Sequence, residues 1–261
     1  MPRLIQNYFT GLVTKTTLLA LLLPLSFVFA FGALIVTASL FPAAYDWRVN
    51  VISDLTSPRD NPKYYWIACV GIAIAALFAL PFAGYLARRV SPFAPTVARL
   101  ASGAFGVGFV LLILNSVVVP QDLAAAHVLN RAHEIFARAS AGIVALGMVI
   151  CCVCAIRDRC RFLGGRRCLC ATLTVCWASI TLVPLSCLAV SGILRLGRIM
   201  GLDWAGTASE YLKHTAMWHL AFWEWLASGS FFLFMVVSVV LLPENLPAKN
   251  CRVVEPPANA A

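Results

Sequence analysis

Charge is what this sequence has least of. Its 261 residues include 20 Lys and Arg and 11 Asp and Glu, so 12% are charged while 61% are hydrophobic and the mean hydropathy is +0.86. That is too little charge to face water around a soluble domain of this length. Two metal signatures are also missing. There is no HExxH stretch and no tight histidine pair among the four histidines, which removes the commonest helix-borne zinc motif. The cysteines clustered at Cys151, Cys152, Cys154, Cys160, Cys168 and Cys170 follow the spacing C-C-x-C-x5-C-x7-C-x-C, which matches no zinc-binding pattern. They read as small apolar filler, with acylation or metal binding as alternatives. Finally, no small-residue cleavage site follows the first apolar run, so that run is expected to stay in place as a spanning helix.

What is present is a series of long apolar runs. Six are long enough to cross about 30 Å of hydrocarbon: Thr17 to Phe41, Tyr64 to Leu86, Ala98 to Val119, Glu134 to Ile156, Ala171 to Leu194 and Trp218 to Leu242. The expected fold is an all-α integral membrane protein, a six-helix transmembrane bundle over residues 17–242. A basic N-terminus, 1–16, precedes it, and a disordered tail, 243–261, rich in Pro, Asn and Ala, follows. Most of the 20 basic residues fall on one side of such a bundle, the side that also holds both termini, while most acids and all four histidines fall on the other. By the positive-inside rule both termini are cytoplasmic. The net charge of +9 then lies mainly where anionic lipid headgroups attract it, and nucleic acid is not needed to explain it. The expected location is an inner or plasma membrane if the source is bacterial.

The polar residues are concentrated in three stretches. In Pro120 to Ala145, PQDLAAAHVLNRAHEIFARASAGIVA, a helical step of about 100° per residue places His127, Arg131, Glu134 and Arg138 within roughly 60° of one another, followed on the same stripe by Ala141, Gly142 and Ala145. A charge at bilayer depth costs at least about 2.5 kcal/mol, so this face is expected to turn inward and line a polar pocket. The plainer reading is a Glu134 and Arg138 pair that neutralises itself. Asp122 is placed to cap this helix. The third run has a Gly-rich face, Gly103, Gly106 and Gly108, suited to close helix contact, and Asn115 near its outer end.

The second stretch, Tyr45 to Tyr65, is too polar for lipid and rich in Trp and Tyr, which suits an interfacial loop. Asn61 and Pro62 read as N-cap and first residue of the second spanning helix. Ser53 and Asp54, beside Ile52 and Leu55, suggest a loop folded over the bundle, or a simple cap. The third stretch is EYLKHTAMWHLAFWEWLASGSFF. On one continuous helix Glu210, His214, Met217, Ala221, Glu224 and Ser228 share about 80° of arc, and His219 points roughly 140° from His214. Glu224 lies about a turn inside the apolar run between Trp223 and Trp225. An intramembrane carboxylate is by default a candidate site, against the alternative of a structural hydrogen bond or an ion pair with Arg138.

Ser53, Asp54, Asp122, His127, His133, Glu134, Arg138, His214 and Glu224 thus form a candidate outward-facing pocket, and three functions fit it. One is recognition or handling of a membrane lipid or amphiphile without chemistry. Another is a metal-dependent lipid hydrolase or transferase, in which two or three of His127, His133 and His214 with a carboxylate would hold zinc, another acid would act as base and an arginine would hold phosphate. The third is a structural or regulatory role.

VISDLTSPRDNP, Val51 to Pro62, followed by a spanning helix and then by VPQD and two histidines opening the fourth helix, resembles the six-helix family catalogued as domain of unknown function 998. AFWEW, Ala221 to Trp225, with ISD, Ile52 to Asp54, is also similar to the DRAM/Frag/Sfk group of six-helix proteins. The likeness covers Asp46 to Leu242, and it implies a six-helix fold, a lipid-related setting and no established reaction. It points to Ser53, Asp54, Asp122, His127, His133 and Glu224. The chain departs from it in having VPQD where an FPxD-like motif is expected and a wider spacing from His127 to His133. A fainter similarity links it to the heptahelical metal-dependent lipid hydrolases related to alkaline ceramidases, whose seven spans and close His pair it lacks.

Overall fold

A computed structural model of the chain describes residues 6, 8, 10–92, 94–117, 126–157, 167–212 and 219–242. Among these residues there are helices and turns and no strand. Six helices are long and apolar enough to cross a membrane, so the chain is an all-α integral membrane protein. In order they are α1 (Lys15–Ser39), α3 (Tyr65–Val90), α4 (Pro95–Val117), α5 (Ala126–Arg157), α6 (Arg167–Ile199) and α8 (Leu220–Leu241), with the short α2 (Ile52–Thr56) and α7 (Asp203–Leu212) between them. The apolar spans run from 22 to 26 residues, enough at about 1.5 Å per residue to cross the hydrocarbon layer. The tail from 243 onward lies outside the described residues.

Pro24 leaves a mark on α1 without breaking it. Pro24 has no N–H for the i−4 carbonyl, and its ring crowds that carbonyl. The turn before it, Leu18–Leu22, is π-helical and wide enough to accept the ring.

Successive helices pack as antiparallel neighbours: α1 on α3, α3 on α4 and α4 on α5, with α6 against α8 and α8 returning to α1. The alternation puts the start of α1 and the ends of α3 and α8 at one end of the bundle. There the Lys15 ammonium donates to the Val240 carbonyl (2.7 Å) and Arg88 Nε to the Thr10 carbonyl (3.0 Å). The opposite end carries α2, the start of α8, the end of α4 and the start of α5.

The middle is closed by rings. Phe82 of α3, Phe105 of α4, Trp177 of α6 and Phe234 of α8 meet at centroid distances of 5.1 to 5.6 Å along the path Phe82, Phe105, Phe234, Trp177. Phe82, Phe105 and Phe234 are fully buried. In lipid, helices associate through such packing and through hydrogen bonds between helices, because apolar burial gives little net drive. Two such bonds are Ser26 Oγ to the Ala75 carbonyl and Ser140 Oγ to the Gly108 carbonyl, both 2.8 Å.

Several sequence expectations need correction. Of the three glycines proposed for close contact on α4, only Gly108 meets a neighbour, Val144 of α5, while Gly103 and Gly106 face open space. The buried face of α5 is the one carrying Ser140, Met148, Cys151, Cys152 and Ala155, whereas Arg138, Ala141 and Gly142 are exposed in the single chain. The packing ridge is therefore offset from the expected inward stripe, because the buried face follows Ser140 and Val144 onto α4. Asn61 is not a side-chain cap. Helix α3 begins at Tyr65 after a turn over 62–64, and it is the Asn61 backbone carbonyl that accepts from Tyr65 N–H (3.1 Å). The Asn61 side chain is fully buried against the Leu55 carbonyl instead.

Candidate functional site

The loop between α1 and α3 folds back onto the bundle because its apolar residues have somewhere to go. Leu55 of α2 is fully buried with Leu34 and Ala38 of α1 and Ala68 of α3. A file of aromatic rings extends this contact to α8: Phe41 to Tyr45 at 5.4 Å, Tyr45 to Trp47 at 5.0 Å, and Trp47 to Trp225 at 4.9 Å. Trp225 in turn meets Phe31 of α1 at 6.2 Å.

On this scaffold sit two carboxylates. The first N–H groups of a helix have no partner within it, and α2 supplies both of its partners from acids. Asp54 reaches back to accept from Val51 N–H (3.0 Å) and from the Asn50 amide (3.3 Å). Glu224 crosses from α8 to accept from Ile52 N–H (3.0 Å). The helix dipole favours negative charge there. Both sequence readings of Asp54 therefore hold together: the segment is folded over the bundle, and the acid caps it.

Tyr45 closes the corner. Its hydroxyl donates to the Asn50 and Val51 carbonyls, at 2.9 and 3.1 Å. Burial pushes this hydroxyl from its ordinary value of 10 up to about 12; the Trp225 indole N–H opposes the shift, and the Asp54 and Glu224 charges add to it. The indole still falls short of hydrogen-bond geometry, and its nitrogen is buried without a partner among the described residues. A cation also reaches this corner. Arg195, exposed near the end of α6, acts on the charge of Glu224 at longer range, with no direct ion pair between them.

The other sequence-selected residues are distributed differently. Ser53 is exposed on α2, with its carbonyl accepting from the Thr56 hydroxyl (3.1 Å). His133 lies on α5, where its Nδ1 meets the Asn115 carbonyl of α4 at 3.0 Å. A carbonyl only accepts, so Nδ1 carries the proton and, in the neutral ring, Nε2 keeps the lone pair. Asp122 and His214 lie outside the described residues, as do the side chains of His127 and Glu134 on α5. Among the described residues no three His, Cys, Asp or Glu side chains converge as a metal site would need.

One expectation about this end is overturned. Residues Glu210 to Ser228 do not form one helix: His219, the N-cap of α8, is extended (φ −80°, ψ 108°). The common face from Glu210 to Glu224 therefore does not exist, although Glu224 does lie one turn inside α8. The residues missed were Arg195, Tyr45 and Trp47. Counting alternating spans would have brought the exit of α6 beside the entry of α8, and so Arg195 near Glu224.

Residues 24–209 match the family described as Protein of unknown function (DUF998). The chain belongs to that family. The match takes in α2, Asp54 and Arg195 and ends before Glu224. Neither the curated proteins nor the solved structures contain a match to the chain.

Proposed function

We propose that this member of the DUF998 family recognises or handles a membrane lipid or amphiphile at the corner formed by Tyr45, Asp54, Glu224 and Arg195. The observation that carries this reading is Glu224, a carboxylate inside a spanning helix that holds the N–H of a folded-over segment at 3.0 Å, with Asp54 and an exposed arginine acting on the same charge. Acids and a guanidinium at a bundle end offer opposite charges to a polar headgroup, while the ring file gives an apolar wall beside them. Ionisable groups at membrane depth mark such pathways more often than they serve packing alone.

The test uses the full chain in mild detergent, as wild type, Glu224→Gln and Arg195→Gln. Glutamine keeps an oxygen for Ile52 N–H and removes only the charge. Lipid extraction and mass spectrometry should find an amphiphile retained by the wild type and depleted in both variants, with melting temperatures unchanged within a few degrees. Equal lipid in all three would leave the corner as packing.

A second reading, a metal-dependent lipid hydrolase or transferase, has one observation in its favour. His133 presents Nε2 while its Nδ1–H is held by the Asn115 carbonyl (3.0 Å), the orientation a zinc-binding imidazole adopts. Metal analysis of wild type beside His133→Ala tests it: about one zinc per chain, lost in the variant, is the outcome this reading requires.

A further inference from the structure

At the end of the bundle away from Glu224, the segment before α1 lies along the last turns of α3. Two glycines allow this. Gly11 has φ +67°, which L side chains rarely adopt, and a Cβ on it would run into the backbone of Gly84 and Tyr85. A Cβ on Gly84 would in turn meet Thr10 and Gly11. The Tyr8 hydroxyl donates to the Leu77 carbonyl at 2.6 Å, and Arg88 Nε to the Thr10 carbonyl at 3.0 Å, so the segment is anchored along the helix.

The crossing leaves a cleft of about 330 Å³ walled by residues 11–14 and by Tyr85, Arg88 and Arg89. Among the described residues its lining charge is of one sign, two arginines and no acid. Arg89 stands 5.1 Å over the Tyr85 ring and makes a further interaction besides it. The Thr10 bond occupies one of the five N–H donors of Arg88, a side chain that is otherwise exposed. Leu12 and Val13 form the opposite wall, with Leu12 half exposed.

We propose that this cleft binds a phosphate group, and that the apolar wall favours a phosphate carried on an anionic phospholipid. Planar guanidinium groups match phosphate oxygens in pairs. The cleft opens at the end of a spanning helix, at headgroup level, where a bound lipid can lay its chains along Leu12 and Val13. This site is separate from the Glu224 corner and does not depend on its function.

Binding of phosphatidylglycerol, phosphatidylcholine and inorganic phosphate to the full chain in neutral detergent, read by native mass spectrometry, tests the proposal. Phosphatidylglycerol should fill one saturable site more tightly than phosphatidylcholine. Losing two charge-assisted contacts in Arg88→Gln/Arg89→Gln should weaken it by roughly tenfold or more. The same charge change at the exposed Arg59 and Lys63, at the other end of the bundle, should leave it unaltered. Competition by millimolar inorganic phosphate, with no gain from the lipid chains, would assign the cleft to free phosphate. Equal affinity of the wild type for both lipids together with no phosphate binding overturns the proposal without reference to any variant. Equal losses in the two double variants overturn it as well.

Discussion

Around Phe234 the bundle is closed by rings from four helices. Around Glu224 it is closed by carboxylates on backbone amides, a tyrosine hydroxyl on two carbonyls, and an arginine within electrostatic reach. Both regions hold helices together, but only the second does so with ionisable groups. A packing role needs no charge, so the difference separates what the fold requires from what it does not.

The largest effect should come from the rings. Phe234→Ala removes a fully buried side chain shared by four helices and should cost about 3–5 kcal/mol, read as a loss of melting temperature in detergent. If that variant melts like the wild type, the ring cluster does not hold the middle. Glu224→Ala should cost less, about 1–3 kcal/mol, because it leaves Ile52 N–H without its acceptor. Glu224→Gln should restore most of that stability, and a glutamine as damaging as alanine would show that charge itself stabilises the corner.

Tyr45 gives the pH dependence. Its hydroxyl titrates at about 12 when folded against 10 ordinarily, so the folded state favours the neutral form. The stabilisation is fully present below pH 10 and is lost as pH rises toward about 12. Absorbance of tyrosinate against pH should show a late-titrating component that is missing from Tyr45→Phe. The smallest effect belongs to Ser140→Ala, which removes one interhelical bond to the Gly108 carbonyl and should cost about 0.6 kcal/mol. A much larger loss would mean that polar bonds, and not rings, carry the middle.

The spans were legible because each is a long apolar run, and the observed ends fall within a few residues of the expected ones, except that α5 is already helical at Ala126, ahead of the expected start at Glu134. Glu224 stood out for the same reason, as a carboxylate inside such a run. What was hidden depends on tertiary direction. Periodicity assigned α5 a polar and small-residue stripe, yet the face that packs is set by where α4 lies. Asn61-Pro62 has the composition of a helix start, but Leu55 burial and the turn over 62–64 delay α3 to Tyr65. The break at His219 ends an apparent helical face that composition alone would continue. Arg195 looked like an ordinary exit residue until α8 was placed beside it.

The most direct measurement is photocrosslinking of the full chain in nanodiscs with a phospholipid carrying a diazirine near its headgroup, mapped by peptide mass spectrometry. Label concentrated on residues 45–56 and on the start of α8, and depleted in Glu224→Gln, is the expected result. Label spread evenly over the lipid-facing surface, and unchanged by Glu224→Gln, would contradict a headgroup site at this corner.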